Sequence, residues 1–193
     1  GLVDGDLRWS NRLLEIAYAC TTCGNCSNQC AYEISKQVVQ MIEALREEAV
    51  KAGVGPMPPH KKFGEHLINQ HNPYFEPHNE RLRWIPKDLN IADKADLLYF
   101  IGCTSSYREK EIAQRTAEML SQMGVQFAVV SDEWCCGSPL WRTGNLKLAE
   151  KMAQQNMEAL RNAKTVVTSC AGCIRAFLKD YPKIVGDLPF EAL

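Results

Sequence analysis

The sequence of 193 residues has no long hydrophobic run, no excess charge of either sign and no internal repeat. No apolar stretch approaches the roughly 18 residues that a membrane-spanning helix needs, so any membrane contact would have to come through a partner. Lysine and arginine (22) nearly balance aspartate and glutamate (23), which gives no electrostatic reason to expect nucleic acid as a ligand. No basic segment followed by an apolar one opens the chain. These absences favour a cytoplasmic protein, either free or peripheral on the inner membrane face through a partner.

Cysteine is the residue that stands out, with nine copies. An odd number cannot pair completely as disulfides within the chain, and the cysteines are clustered at short spacings. Without a secretory signal, this pattern favours metal binding in a reducing compartment over a disulfide framework.

The first cluster has the spacing C-x2-C-x2-C-x3-C and consists of Cys20, Cys23, Cys26 and Cys30. This spacing is typical of bacterial ferredoxin-type iron–sulfur ligation, and Gly24 relaxes the turn. We therefore expect a cubane [4Fe–4S] cluster, with zinc or free core cysteines as the alternatives. No second C-x2-C-x2-C occurs in the sequence. Cys30 therefore either closes the same cluster or ligates one whose other ligands lie upstream, and we favour the second option.

The other five cysteines each follow a short apolar run that predicts a strand. The strands are expected at 96–101, 126–130 and 164–168, and the cysteines that follow them are Cys103, then Cys135 and Cys136, then Cys170 and Cys173. Helices are predicted between them over 106–123 and 145–162, and another begins near Ala171. This alternation predicts a parallel α/β sheet with all five sulfurs at its carboxyl edge, where open α/β sheets bind ligands.

The half of the chain before these strands is predicted to be helical. Helices are expected over 10–19 with Ser10 as N-cap, over 33–52 with Gly53 just beyond the end, and over 60–70. A stretch of low regularity follows through 73–95. The fold class is therefore α/β, with an N-terminal α-helical ferredoxin-type domain followed by a small parallel-sheet domain. We place these domains at 1–72 and 96–193, with 73–95 as the linker.

The five-cysteine pattern, with Cys135-Cys136-Gly137 at its centre, resembles the CCG domain of the heterodisulfide reductase family. The resemblance to the D-type catalytic subunits of that family covers essentially the whole chain. It rests on Cys20–Cys26, His71–Tyr74, Leu82–Pro86, Ile91–Asp96, Asp132–Gly137, Arg142–Gly144, Cys170–Cys173 and Leu188–Glu191. The family also includes iron–sulfur subunits of glycolate, lactate and anaerobic glycerol-3-phosphate oxidation.

The resemblance implies that the five cysteines hold a noncubane [4Fe–4S] cluster. Electrons would pass through cubane clusters to this site, which would reduce a small-molecule disulfide or oxidise thiols. The implied partners are a membrane haem or quinol-linked subunit, or a flavoprotein. Family members usually carry two ferredoxin-type motifs and two CCG units, so we expect this chain to be an internal piece that holds the first CCG unit. Processing of a mature N-terminus is the alternative.

Other functions remain open at the level of sequence. The alternative to a catalytic subunit is an electron-transfer iron–sulfur subunit of a flavin-dependent 2-hydroxyacid or glycerol-3-phosphate dehydrogenase. A Cys135/Cys136 dithiol and a structural zinc module are further alternatives. Arg108 and Arg142 could bind an anionic substrate, or they could be salt-bridged surface residues. The four histidines are expected to be loop or helix-surface residues rather than ligands.

Overall fold

The computed structural model describes Gly5 and residues 8–193, which form two compact units. One unit comprises Gly1–Lys62 and Pro139–Leu146, and the other comprises Phe63–Ser138 and Lys147–Leu193. The division at 72 and 96 that the sequence suggests stays a prediction. No helix among the described residues is both long enough and apolar enough to cross a membrane.

The first unit is helical, as expected. Its helices are α1 (Asn11–Ala19), α2 (Asn25–Gln29) and α3 (Val38–Lys51), and α4 (Pro58–Gln70) begins within it. Ser10 is the N-cap of α1, since its Oγ accepts a hydrogen bond from Leu13 N at 3.1 Å. The helix predicted from residue 33 begins instead as a 3-10 turn over Glu33–Gln37. Gly53, with φ of +74°, follows α3 as the sequence predicts.

The second unit is built on a parallel sheet, which confirms the α/β class. The strand order is β2-β1-β3-β4, with Leu98 of β1 paired to Ala128 and Val166 of its two neighbours. The strands are β1 (Leu97–Tyr99), β2 (Phe127–Val129), β3 (Thr165–Val167) and β4 (Glu191–Ala192). The first three lie within the predicted runs. The sequence pattern does not predict β4, because two residues are too few to show an alternation.

The predicted strand over 96–101 is too long, and the reason bears on the cysteine site. Phe100 still donates its backbone N–H to Val167 O at 2.9 Å. The next two amides, of Ile101 and Gly102, donate to the carboxylate of Glu133 at 2.7 and 2.9 Å. A buried side chain therefore ends the ladder two residues before Cys103.

Helices fill the connections, but two of the predicted helices are wrong in extent. The helices are α5 (Cys103–Tyr107), α6 (Lys110–Gln122), α7 (Ser138–Thr143), α8 (Leu146–Ala159), α9 (Ala171–Arg175) and α10 (Pro182–Val185). The helix expected over 106–123 breaks at Glu109, whose φ of −105° and ψ of 62° are not helical. The helix expected over 145–162 is shorter and is preceded by α7. The helix predicted from Ala171 is confirmed, and it continues through a π-helical turn over Ala176–Asp180.

Both faces of the sheet are covered. Tyr99, Ile101 and Phe127 pack on one side with Ala113, Ala117 and Leu120 of α6. Trp84, from the irregular stretch before β1, joins this cluster and is 1% exposed. Phe100 and Val166 pack on the other side with residues of α8 and the C-terminal helices, among them Ala153, Leu160, Phe177 and Tyr181. Cys136 and Cys173 lie within this second cluster, so the five-cysteine site borders the hydrophobic core.

Candidate iron–sulfur site

Three loops at the carboxyl edge of the sheet bring together the five cysteines of the second unit. Cys103 begins α5 after β1, the adjacent pair Cys135 and Cys136 follows β2, and Cys170 precedes α9 after β3. Because the three strands are parallel, their carboxyl ends meet at one edge. Four of these cysteines are buried, at 3 to 7% exposure, and Cys170 is half-buried.

The five sulfurs form an unbroken row of hydrogen-bond contacts. Cys103 contacts Cys135, which contacts Cys136, which contacts Cys173, which in turn contacts Cys170. The adjacent cysteines thereby connect the thiol of the first loop with the CxxC pair of the third. No group of three or more His, Cys, Asp or Glu side chains in the described part of the chain is arranged to hold a single metal ion.

Backbone amides add to the polarity of this row. Cys136 accepts hydrogen bonds from the thiols of Cys135 and Cys173 and from the amide of Ser138, which lower its pKa to about 6. Contact with the Cys173 thiol, together with the amides of Cys173 and Gly172, also lowers the pKa of Cys170 to about 6. The contact that lowers the pKa of Cys136 raises that of its donor Cys173, since a thiol that donates must keep its proton. The site thus favours thiolates at two of its five positions.

Two glycines shape the loops. Gly102 has φ of +78°, and a Cβ atom built on it would lie 3.1 Å from Cys173 Sγ and 3.4 Å from Cys170 Cβ. The absent side chain therefore lets the third loop approach the first. Gly137 also has φ of +78°, which turns the chain from Cys136 into α7.

A buried ion pair supports the first loop, and no pattern in the sequence predicts it. Arg81 is 1% exposed and Glu133 is fully buried. Arg81 Nη1 donates to Glu133 Oε1 at 2.6 Å, and Arg81 Nη2 donates to Cys103 Sγ at 3.3 Å. Burial lowers the pKa of Arg81, but the carboxylate and the sulfur outweigh it, so its pKa lies above the ordinary value and the side chain is charged. Burial raises the pKa of Glu133, and Arg81 and the two backbone amides oppose that rise.

A buried amide supports the second loop. Asn156 of α8 is fully buried, and its Oδ1 accepts from Trp134 N at 2.9 Å. Its Nδ2 donates to Cys135 O at 3.0 Å and to the hydroxyl of Tyr181 at 3.1 Å. Cys135 N donates to His71 O at 2.8 Å. The backbone on either side of Cys135 is therefore held by Asn156 of α8 and by His71.

His71, Arg108 and Arg142 each contact another side chain of the protein. His71 stacks on Trp134 with ring centroids 3.5 Å apart and an interplanar angle of 4°. Arg108 pairs with Glu76 at 2.9 Å and lies over the Tyr74 ring, and Arg142 pairs with Glu43 at 2.9 Å. These arginines fit the salt-bridged interpretation better than that of a substrate-binding pair.

The N-terminal motif is more open than the five-cysteine site. Cys20 is half-buried and ends α1, whereas Cys23, Cys26 and Cys30 are exposed around α2. Gly24, with φ of +78°, forms the N-cap of α2, in line with its expected role in the turn. Cys20 Sγ accepts from Thr22 N at 3.4 Å.

Arg46 fixes the position of Cys20. This arginine of α3 is 4% exposed. It donates to Ala17 O at 2.9 Å, to Arg142 O at 2.6 Å and to Cys20 O. It thus caps the last turn of α1 and ties the first cysteine of the motif to residues 139–146 of the same unit.

A groove of about 740 Å³ lies away from the cysteines, beside the edge strand β2. Its lining includes the apolar side chains of Leu98, Ala128 and Val130 and the polar side chains of Asp93, Asp96 and Asn162. Its lining includes none of the nine cysteines, so we do not assign the redox chemistry to it.

Comparison with known proteins shows which family and which individual proteins this chain resembles. Residues 97–177 match the CCG cysteine-rich domain family. The chain is 42% identical over 183 residues to the D subunit of the dihydromethanophenazine:CoB–CoM heterodisulfide reductase of Methanosarcina mazei, which covers 91% of this chain and 44% of that protein. It is 31% identical to the B subunit of the fumarate reductase (CoM/CoB) of Methanothermobacter marburgensis over 86% of this chain and 33% of that protein.

A shorter match links the chain to a bacterial protein. Lactate utilization protein A of Oceanobacillus iheyensis is 32% identical over 93 residues, which cover 48% of this chain and 38% of that protein. The chain thus spans less than half the length of each of these relatives. No solved structure matches it.

Proposed function

Because residues 97–177 form a domain of the CCG family, and because the chain resembles the D subunit of heterodisulfide reductase over most of its length, we propose that it is part of an iron–sulfur oxidoreductase that reduces a small-molecule disulfide or oxidises thiols. The observation that carries the proposal is the row of sulfur contacts at the sheet edge. The row consists of Cys103, Cys135, Cys136, Cys173 and Cys170.

We propose these five cysteines as the ligands of a noncubane [4Fe–4S] cluster. The donor set is entirely thiol, and soft sulfur ligands suit iron–sulfur clusters. Adjacent Cys135 and Cys136 are awkward ligands for one tetrahedral ion, but they can serve the two lobes of a fused cluster. Amides at Gly137, Ser138 and Gly172 donate to the sulfurs, as expected around thiolates that carry negative charge to the metal.

Cleavage of a disulfide RS–SR′ consumes two electrons and two protons and gives RSH and R′SH. When bound, the cluster would supply the electrons one at a time. Burial of Cys103, Cys135, Cys136 and Cys173 keeps water from the inner side of the site. Cys170 is half-buried and therefore marks the side from which a small disulfide could approach.

The N-terminal motif is proposed as the point where electrons enter this chain. Cys20, Cys23 and Cys26 would hold a cubane [4Fe–4S] cluster, and Cys30 would ligate either this cluster or a second one. The exposure of Cys23, Cys26 and Cys30 is consistent with a cluster that exchanges electrons with another subunit. We propose a membrane haem or quinol-linked subunit, or a flavoprotein, as that partner.

The test uses anaerobically reconstituted protein. Wild type should bind about eight iron atoms per chain, and replacement of Cys20, Cys23 and Cys26 by Ser should leave about four at the five-cysteine site. Addition of a thiol substrate to that variant should give a noncubane signal by Mössbauer or EPR spectroscopy. Cys136→Ser should abolish the signal, and Cys30→Ser is the matched control in the other motif. Iron-free, zinc-loaded protein, or a cubane signal alone, would contradict the proposal.

An electron-transfer subunit for a flavin-dependent dehydrogenase is the second candidate. The similarity to lactate utilization protein A over 93 residues favours it, because that name refers to a 2-hydroxyacid. A relay would pass electrons from a flavoprotein but would not turn over a disulfide with an artificial donor. Disulfide turnover by the reconstituted protein would therefore favour the reductase over the relay.

A further inference from the structure

Arg81 reaches the five-cysteine site from outside the matched domain. It lies 16 residues before residue 97, where the CCG match begins, and 22 residues before Cys103. Its guanidinium is nevertheless buried, and it donates to Cys103 Sγ, to Ser106 Oγ at 3.2 Å and to Glu133. It also lies over the Tyr107 ring, 5.3 Å from the centroid. An arginine of the preceding segment thus contacts the first of the five sulfurs.

Hydrogen bonds hold the side chain of Glu133 in place, as they do that of Arg81. Its Oε2 accepts from Ile101 N, and its Oε1 accepts from Gly102 N and from Arg81. All three contacts are donors, so the carboxylate is bound in its ionised form. Glu133 lies two residues before Cys135 in the chain, and Arg81 contacts Cys103. The Arg81–Glu133 ion pair therefore links the loop that carries Cys103 to the loop that carries Cys135.

Stability alone does not account for this arrangement. Burial of two ions costs much of what their attraction returns, and apolar side chains of similar volume often serve equally well. The ion pair has an effect that an apolar pair could not have, because one of its members donates directly to a sulfur of the site. Hydrogen bonds and charges near cluster sulfurs are a main determinant of reduction potential.

We infer that Arg81 is a positioning residue that orients Cys103 and raises the reduction potential of the cluster at the five-cysteine site, with Glu133 as an opposing charge that limits the rise. The inference rests on the proposed function, because it assumes that a cluster is bound there. A positive charge beside a sulfur stabilises the more negative, reduced state of the cluster. The negative charge of Glu133, which pairs with Arg81, disfavours that state. The two residues should therefore shift the potential in opposite directions.

The experiment is a potentiometric titration followed by EPR, on protein in which Cys20, Cys23 and Cys26 are replaced by Ser so that only one site is read. Arg81→Met should lower the midpoint potential, and Glu133→Gln should raise it. Arg81→Lys keeps the charge and should lie closer to wild type than Arg81→Met does. The matched control is Arg83→Met, since the Arg83 side chain is 71% exposed and its charge is screened.

A variant with one unpaired buried ion could fold poorly, so the double variant Arg81→Met/Glu133→Gln completes the set. It leaves no unpaired charge and should titrate between the two single variants. Midpoints that all agree with Arg83→Met would overturn the role of Arg81, and so would shifts of one sign in both single variants. Iron content is measured first. A parent protein without iron at the five cysteines would overturn the proposed function together with this inference, whereas loaded variants with unchanged potentials overturn the inference alone.

Discussion

The side-chain amide of Asn156 donates to the carbonyl oxygen of Cys135 at 3.0 Å, from a fully buried position in the last turn of α8. The same side chain accepts from Trp134 N and donates to Tyr181 Oη. One residue thus satisfies backbone groups on both sides of the peptide between Trp134 and Cys135. The loop that carries the adjacent cysteines is consequently held by α8 and by His71, which are both distant from it in the sequence.

Replacement of Asn156 by Ala should therefore destabilise the second unit. The substitution leaves the amide of Trp134 and the buried carbonyl of Cys135 without these partners, and we expect a loss of about 2 to 4 kcal/mol in the free energy of unfolding. Urea denaturation monitored by circular dichroism measures it. Gln154→Ala, at an exposed position on the same helix, is the control and should change stability by less than about 0.5 kcal/mol. Equal effects of the two substitutions would contradict the role assigned to Asn156.

Gly102→Ala should disturb the five-cysteine site more than Gly172→Ala. At Gly102, φ of +78° and ψ of 157° form a backbone conformation that is essentially restricted to glycine, and alanine would adopt it at a cost of about 1 to 3 kcal/mol. The new methyl group would also press on Cys173 Sγ. At Gly172, φ lies outside the positive region and the nearest atom to a new Cβ is 3.6 Å away. Iron content after reconstitution should fall for Gly102→Ala and stay near wild type for Gly172→Ala. Retention of full iron content by both variants would show that the close approach is dispensable.

Arg46→Met should weaken the N-terminal unit. Its guanidinium donates hydrogen bonds to three backbone carbonyls. Loss of these hydrogen bonds should lower the free energy of unfolding by on the order of 3 kcal/mol, since a hydrogen bond from a charged group contributes about 1.5 to 3 kcal/mol. Because Cys20 O is one of these acceptors, the variant should also bind less iron at the N-terminal motif. Arg12→Met is the control, since the Arg12 side chain is 80% exposed. Loss of iron from the five-cysteine site alone would contradict this assignment.

The cluster-free chain should show an unusually reactive thiol at Cys170. Its pKa of about 6 means that ionisation, and hence alkylation by iodoacetamide, should rise across about pH 5 to 7, whereas an unperturbed cysteine reacts at higher pH. Mass spectrometry of the alkylated peptides gives the profile residue by residue. Cys173→Ala removes the thiol whose contact lowers the pKa of Cys170, so it should move the profile to higher pH. A profile for Cys170 centred above pH 8 in the wild type would contradict the prediction.

The parts of the fold that could be predicted are those whose causes are local. Each of the strands β1, β2 and β3 is marked by a continuous apolar run, and the spacing of Cys20, Cys23, Cys26 and Cys30 is a pattern of neighbours. Parallel connection then brings the five later cysteines to one edge without any knowledge of side-chain contacts. The N-cap at Ser10 is a further case, because its partner Leu13 is three residues away.

The residues that the sequence did not reveal depend on distant partners. Arg81 meets Glu133 across 52 positions, Asn156 meets Cys135 across 21, and Arg46 meets Ala17 across 29. An isolated arginine among polar neighbours predicts a surface charge, and only the fold supplies the buried acceptors that reverse this expectation. Glu133 did carry a signal, since it follows Asp132 and stands immediately before Trp134 and the two cysteines, but its position alone does not identify the partner.

The return of residues 139–146 to the first unit has a consequence for how such a chain can be inherited. The backbone passes from one unit to the other after Lys62, Ser138 and Leu146. A crossover between Lys62 and Pro139 would therefore take the two segments of the helical unit from different parents, so that Arg46 and the backbone around residue 142 that it contacts would not share an origin. The helical unit and the five-cysteine unit should accordingly travel through evolution as one heritable block, and chimaeras that exchange residues 1–62 should require residues 139–146 from the same parent.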